Sequence, residues 1–158
     1  MTQNQTQAQV NMLRTYLKGA SLEHPAAPQA FLDDSGAPIQ DKLDIQVKVE
    51  VVAAGVIEMA VRATLELARD NKTMLLLEVE HAGLCQLTNV PAEDVDAVLA
   101  IHVAPIVYGA LRVNFADLMT RAALPPMYLP EVNWVEQHQN RLAQLSQPAG
   151  RTAAAAND

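Results

Sequence analysis

Residues able to do chemistry are few and scattered in this 158-residue chain. His24, His81, His102 and His138 stand apart, and none has a second histidine at the spacing of a metal site. A lone histidine on a helix is more often packed or exposed than catalytic, so His102 and His138 carry little functional weight. Cys85 is the single cysteine. It can form no internal disulfide, and it would act as a nucleophile only with a base beside it. The six glycines form neither a phosphate-cradling loop nor a dinucleotide fingerprint, and no Gly-x-Ser-x-Gly elbow is present. The remaining candidates are carboxylates, such as Glu78 and Glu80 in "LLLEVE" (75–80). Acid/base work needs a carboxyl whose pKa is tuned by burial. These two alternate with apolar residues on what reads as the wet face of a strand. The chain therefore offers little chemistry and no metal-ligand spacing, and the face that carries these carboxylates is more informative.

The elements that position these residues are legible from periodicity. In "LDIQVKVEV" (43–51) every odd position is apolar and every even one polar. The same parity runs through "IEMAVRATLEL" (57–67) and on from Met74 to about Leu87. The link around Gly55 suits a hairpin, and Asp70-Asn71-Lys72 a second turn. Gly83 is expected to mark a bulge or bend. Residues 12–23 have strand content but weak alternation, and can pair on an edge. Residues 24–38 contain Pro25, Pro28 and Pro38 and read as a long loop. After Pro91 the period becomes helical: a short helix up to Pro105, then a long one over 106–124. "LPPMYLP" (124–130) is a stiff connector, and Asn133 is placed to cap a last helix with Val135, His138, Leu142 and Leu145 on one face.

Strands first and helices after predict an α+β fold, an antiparallel meander with one buried face. Residues 1–11 read as a flexible arm, 12–145 as one domain and 146–158 as a disordered, low-complexity tail. No apolar run approaches the roughly 18 residues of a membrane span. The polar start lacks the features of a signal peptide, so a soluble, cytoplasmic protein is expected. Eleven basic against eighteen acidic residues, a net charge of −7, argue against nucleic acid as a partner. An acidic surface suits solubility or a basic partner.

Parity also predicts the composition of the outward sheet face: Asp44, Gln46, Lys48, Glu50, Glu58, Ala60, Arg62, Thr64, Glu66, Leu76, Glu78 and Glu80. Six of these are acidic and two basic, a plausible docking site for a basic surface, with Leu76 as an apolar contact inside it. On the long helix, Val107, Leu111, Phe115 and Leu118 form one strip, and Ile106, Ala110 and Val113 a second. So wide an apolar surface fits contact with another subunit, and equally a deeply buried helix in a monomer.

Three stretches together resemble a known family, over about residues 12–145. "YLKGASLEHPAAP" (16–28) is similar to the early segment of the SecB export chaperones. "LLLEVEHAGL" (75–84) fits their sheet, and "IVYGALRVNFADLMTRAALPPMYLPEVNW" (106–134) their long helix, connector and last-helix start. The resemblance implies a four-stranded antiparallel sheet with helices packed on one face. It also implies a homotetramer, a dimer of dimers, with Val107, Leu111, Phe115 and Leu118 at the interface. Unfolded precursor proteins would be held in the cytoplasm and delivered to the SecA ATPase, with no enzymatic activity and no cofactor. The SecA contacts would fall on Glu23, Leu76 and Glu78. Gly19 stands where the family has an acid, which shifts weight to Glu80. A client groove would use Leu22, Phe31, Leu32, Trp134, His138 and Leu142. The same fold also serves SecB-like chaperones dedicated to one toxin–antitoxin partner. A hot-dog-type small-ligand enzyme also packs a long helix on a sheet, but there the helix precedes most strands.

Overall fold

The structure, a computed structural model, describes residues 7–33 and 35–145. Four long strands form one antiparallel sheet: β1 (Gln9–Glu23), β2 (Gln40–Ala53), β3 (Val56–Arg69) and β4 (Lys72–Thr88), in the order β1-β4-β3-β2. Gly55 at φ 69° makes the β2–β3 turn, and its carbonyl accepts from the Leu87 N–H at 2.8 Å. Asp70 and Asn71, both at positive φ, make the two-residue β3–β4 turn. β1 and β2 are the two edges, so the proline-bearing loop between them crosses the end of the sheet. That crossover accounts for its length.

β1 starts at Gln9, because β4 runs on to Thr88 and offers Gln9, Val10 and Asn11 ladder partners. The expected arm therefore loses residues 9–11 to the strand, residues 1–6 lie outside the described residues, and so does the expected tail 146–158. The weak alternation of β1 has a cause. The register shifts between Met12 and Arg14 and again between Leu17 and Gly19, so Leu13 and Lys18 are extra residues, each inverting the parity. Gly83 is not a bulge: it pairs in register with Thr15 and Met59. A Cβ there would lie 2.6 Å from a Val107 methyl, so this glycine marks the close approach of a helix.

The helical layer follows: α1 (Val95–Val98), a π-helical stretch (Leu99–Val103), α2 (Ala104–Arg121) and α3 (Trp134–Leu145). Pro105 falls in the first turn of α2, where its missing N–H is not needed, and the π turn before it lets the helix continue. This 30-residue stretch, Ala92–Arg121, contains an 18-residue window with a mean hydropathy of 1.5, long and apolar enough to cross a membrane by length and composition. The expectation of no such segment looked for uninterrupted apolar residues and missed it. Here its apolar side packs on the sheet, as the core helix of a globular domain does. Val107, Leu111 and Phe115 are fully buried against Val61, Leu65, Leu77 and Val79.

That burial corrects the expected subunit interface. Val107, Leu111 and Phe115 belong to this chain's own core, and Leu118 packs against it. The exposed strip of α2 is the other one, with Ile106 48% and Val113 70% exposed. Helical spacing shows that two strips exist, but the sheet decides which of them it covers.

Candidate docking face and client groove

The ladder places the outward side chains in rows across the sheet. Glu23, Leu76 and Glu66 form one row. Ser21, Glu78 and Thr64 form the next, and Gly19, Glu80 and Arg62 the one after. Leu76 is half-buried between two carboxylate-bearing neighbours, with Glu78 two residues along β4. The positions expected to act together, Glu23, Leu76, Glu78 and Glu80, thus share one patch of β1 and β4. Glu66 belongs to this patch as well. Parity placed it on the face, but only register places it beside Leu76.

The acidic side chains are partly paired. Arg62 Nε donates to Glu80 Oε2 at 3.0 Å, and Arg62 Nη1 lies 3.8 Å from Glu78 Oε1. Glu66 accepts from the Thr73 hydroxyl at 2.7 Å. Lys18, the extra residue of the second β1 bulge, reaches across β4 to Glu58, and Tyr16 donates to the same carboxylate at 2.9 Å. Lys18 donating to Glu58 holds that carboxyl below its ordinary pKa. Ala60 and Ala82, both outward by parity, are buried. They lie beside Tyr16 in the ladder.

On the opposite face the helices leave β2 uncovered. Val47, Val49 and Val51 have the parity of the core residues, yet they are 47%, 42% and 71% exposed. A helix is about 10 Å across and strands are about 4.8 Å apart, so α2 shields the central pair and not the edge. A cavity of about 560 Å³ opens there, with Val47, Val49, Met59 and Leu99 on one side and Trp134, His138 and Arg141 on the other. α3 holds that outer wall. Asn133 caps it, its side-chain oxygen accepting from the Glu136 N–H at 3.2 Å. Trp134 sits edge-on to Tyr108 at 5.4 Å, and Arg141 pairs with Asp96.

Of the expected groove residues, this cavity holds Trp134 and His138. Leu142 is exposed on α3 outside it. Leu22 pairs with Leu77 on β1, at the far edge, and packs on the core. Phe31 and Leu32 are exposed on the crossover loop. Arg69 ties this loop to the end of β3 through Asp33 at 2.6 Å. The Ser35 N–H, with help from the Ser35 hydroxyl and Arg69, lowers the Asp33 pKa to about 2. Arg69 is ten residues along β3 from Met59, roughly 33 Å of strand. The loop and the cavity are therefore opposite ends of a track and not one pocket. The residues that join them, Leu43, Ile45, Val47 and Val49, are the apolar face of β2. Their alternation was visible in sequence, but their lack of a helical cover was not.

Elsewhere, His81 is buried, its Nδ1 3.0 Å from Asn114 Nδ2, and burial lowers its pKa. Burial raises the Cys85 thiol, which makes it a core residue rather than a nucleophile. Among the described residues no group of three or more His, Cys, Asp or Glu is placed to hold a metal.

A family model described as Preprotein translocase subunit SecB matches residues 3–145. The chain belongs to the SecB family. It is 36% identical over 157 residues to a protein-export protein SecB of Burkholderia lata, covering 99% of this chain and 97% of the relative. A Burkholderia vietnamiensis protein of the same name is 36% identical over 154 residues, covering 98% and 96%. Among solved structures, a SecB-like chaperone of Mycobacterium tuberculosis, in complex with an antitoxin peptide, superposes with a TM-score of 0.63 at 18% identity. It covers 78% of this chain and 91% of that one. The sheet with its long helix is thus the SecB fold, and the chain is a protein-export chaperone. In SecB terms, its two sheet faces are chemically separate: one acidic and flat, the other apolar and grooved.

Proposed function

We propose that this SecB protein holds unfolded precursor proteins in the cytoplasm along the apolar face of β2 and hands them to SecA, which docks on the outward face. It acts by binding alone, without enzymatic chemistry, cofactor or metal. One observation carries the reading. The register sets Glu23, Leu76 and Glu78 side by side on the face away from the helices, while the uncovered valines open on the other. Both partners can then be bound at once. An unfolded chain supplies apolar side chains, and each Å² removed from water is worth about 25 cal/mol whatever the sequence. The track runs from Phe31 and Leu32, along Val47 and Val49, to Trp134, with His138 and Arg141 as a polar rim.

The domain spans 12–145 together with the start of β1. It assembles as a homotetramer, a dimer of dimers. The exposed α2 strip of Ile106, Ala110 and Val113 and the free edge of β1 supply the contacts. A client wrapped around four copies would engage several weak sites at once.

The test pairs two variants. Glu78→Lys with Leu76→Ala should weaken SecA binding at least tenfold and leave binding of a urea-denatured precursor unchanged. Val49→Asp should do the reverse. Equal loss of both activities in either variant would show that the faces are wrongly assigned. Light scattering should give four times the 17.1 kDa chain mass. The Mycobacterium tuberculosis neighbour, solved with an antitoxin peptide, supports a second reading in which this chain serves one dedicated partner. Absence of SecA binding by the wild-type protein would favour that reading. The hot-dog alternative is set aside, because all four strands here precede the long helix.

A further inference from the structure

The acidic face already has a cation docked on it. Arg62 stands opposite Glu80 in the ladder, and both its Nε and Nη2 donate to Glu80 Oε2. Its third nitrogen turns toward Glu78. Glu80 is left with 14% of its side chain exposed, against 40% for Glu78. Thus two of the four carboxylates and apolar contacts expected to meet a basic partner face the chain's own guanidinium. Glu23 and Glu66, flanking Leu76, have no described ion pair. Arg62 itself keeps 44% of its side chain exposed, so its guanidinium lies in the path of an arriving partner.

An arriving lysine or arginine must do at Glu78 and Glu80 what Arg62 already does. We infer that Arg62 is a built-in competitor for the docking cation, which sets how tightly and how salt-sensitively the outward face binds SecA. Docking then proceeds with Glu78, the less occupied carboxylate, taking the partner's cation first. Arg62 either shares Glu80 or swings away on its flexible stem. Removing Arg62 strengthens docking because it frees two carboxylates and removes a like charge from the partner's path. This inference rests on the assignment of the outward face to SecA.

The experiment is a titration of SecA into full-length wild type, Arg62→Gln, Arg62→Lys, Glu78→Lys and the Arg62→Gln/Glu78→Gln/Glu80→Gln triple variant, at low and high salt. Circular dichroism confirms folding, and binding of a urea-denatured precursor serves as the control. Arg62→Gln is expected to tighten SecA binding about three- to tenfold at low salt, with the gain shrinking at high salt. Arg62→Lys should stay near wild type, and the triple variant should lose the gain. If Glu78→Lys weakens binding while Arg62→Gln weakens it or leaves it unchanged, the competitor role is overturned and the docking face stands. If Glu78→Lys changes nothing, the docking face itself is wrong, and the inference falls with it.

Discussion

Replacing Gly83 with alanine is expected to push α2 off the sheet. Gly83 lies in the middle of β4, directly beneath the first turn of α2. An added Cβ would sit 2.6 Å from Val107 Cγ2 and 2.9 Å from Met12 Cε. Carbon atoms pack comfortably at about 3.5–4.0 Å, so roughly 1 Å has to be found on each side. Met12 can give, because its methyl is the end of a flexible chain. Val107 cannot give cheaply: it is fully buried, and a helical valine has one strongly preferred rotamer. The helix must then shift, or Val107 must leave its rotamer, at about 1–3 kcal/mol. For a chain of this size that lowers Tm by roughly 3–9 °C. Thermal unfolding at a fixed protomer concentration measures it, since assembly makes Tm concentration-dependent. Val107→Ala removes the obstructing methyl groups, so the Gly83→Ala/Val107→Ala double variant should be more stable than the two single losses add up to, by about 1 kcal/mol or more. An unchanged Tm for Gly83→Ala, or additivity within about 0.5 kcal/mol, would refute the claim that this contact sets the helix height.

Three further outcomes follow from single positions. Gly19 faces Glu80, and a Cβ there meets nothing within 4 Å, so Gly19→Asp should fold normally. It should tighten SecA binding a few-fold at low salt, as read by calorimetry, and a folded variant with weaker binding would contradict the assignment of this patch. His81 is buried between the ladder partners Val61 and Leu17, beneath Asn114, and its pKa lies below the ordinary 6.5. The unfolded chain therefore takes up a proton before the folded one does. Stability should fall as pH drops below about 6.5, by at most about 1 kcal/mol at pH 5.5. Urea unfolding of His81→Leu should show a flatter profile between those values. Ala123 closes α2 at φ 58°, a left-handed conformation that favours glycine. Ala123→Gly should raise Tm by a degree or two, and a lower Tm would count against strain there.

The parts of the fold that were legible are those governed by local rules. Strict alternation in β2, β3 and β4 reports faces directly, and the Asp70–Asn71 turn pairs β3 with β4 within a few residues. β1 was harder, because its bulges at Leu13 and Lys18 twice reverse which residues face the helices. No period-2 reading survives that, although the strand itself is long and well paired. The helix strips failed for a different reason. Val107, Leu111 and Phe115 on one side and Ile106, Ala110 and Val113 on the other are equally apolar. Only the way α2 lies on β3 and β4 determines that the first set is core.

The candidate site divides the same way. Placing Leu76 with Glu78 and Glu80 needed only the parity of one strand. Bringing Glu23 and Glu66 to either side of Leu76 needed the pairing of β4 with both neighbours, and Glu23 is more than fifty residues from Leu76 in the chain. The groove was less legible still, since Val47 and Val49 have the same pattern as the buried Val61 and Leu65. What separates them is strand order. β2 is at an edge, one strand spacing beyond the central pair that a single helix shields, so its apolar face stays open. An exposed apolar edge is ordinarily an aggregation hazard. Under the proposed function it would serve as the client surface, and the polar residues of α3 along its rim, Gln137, His138 and Arg141, limit how much of it is bare.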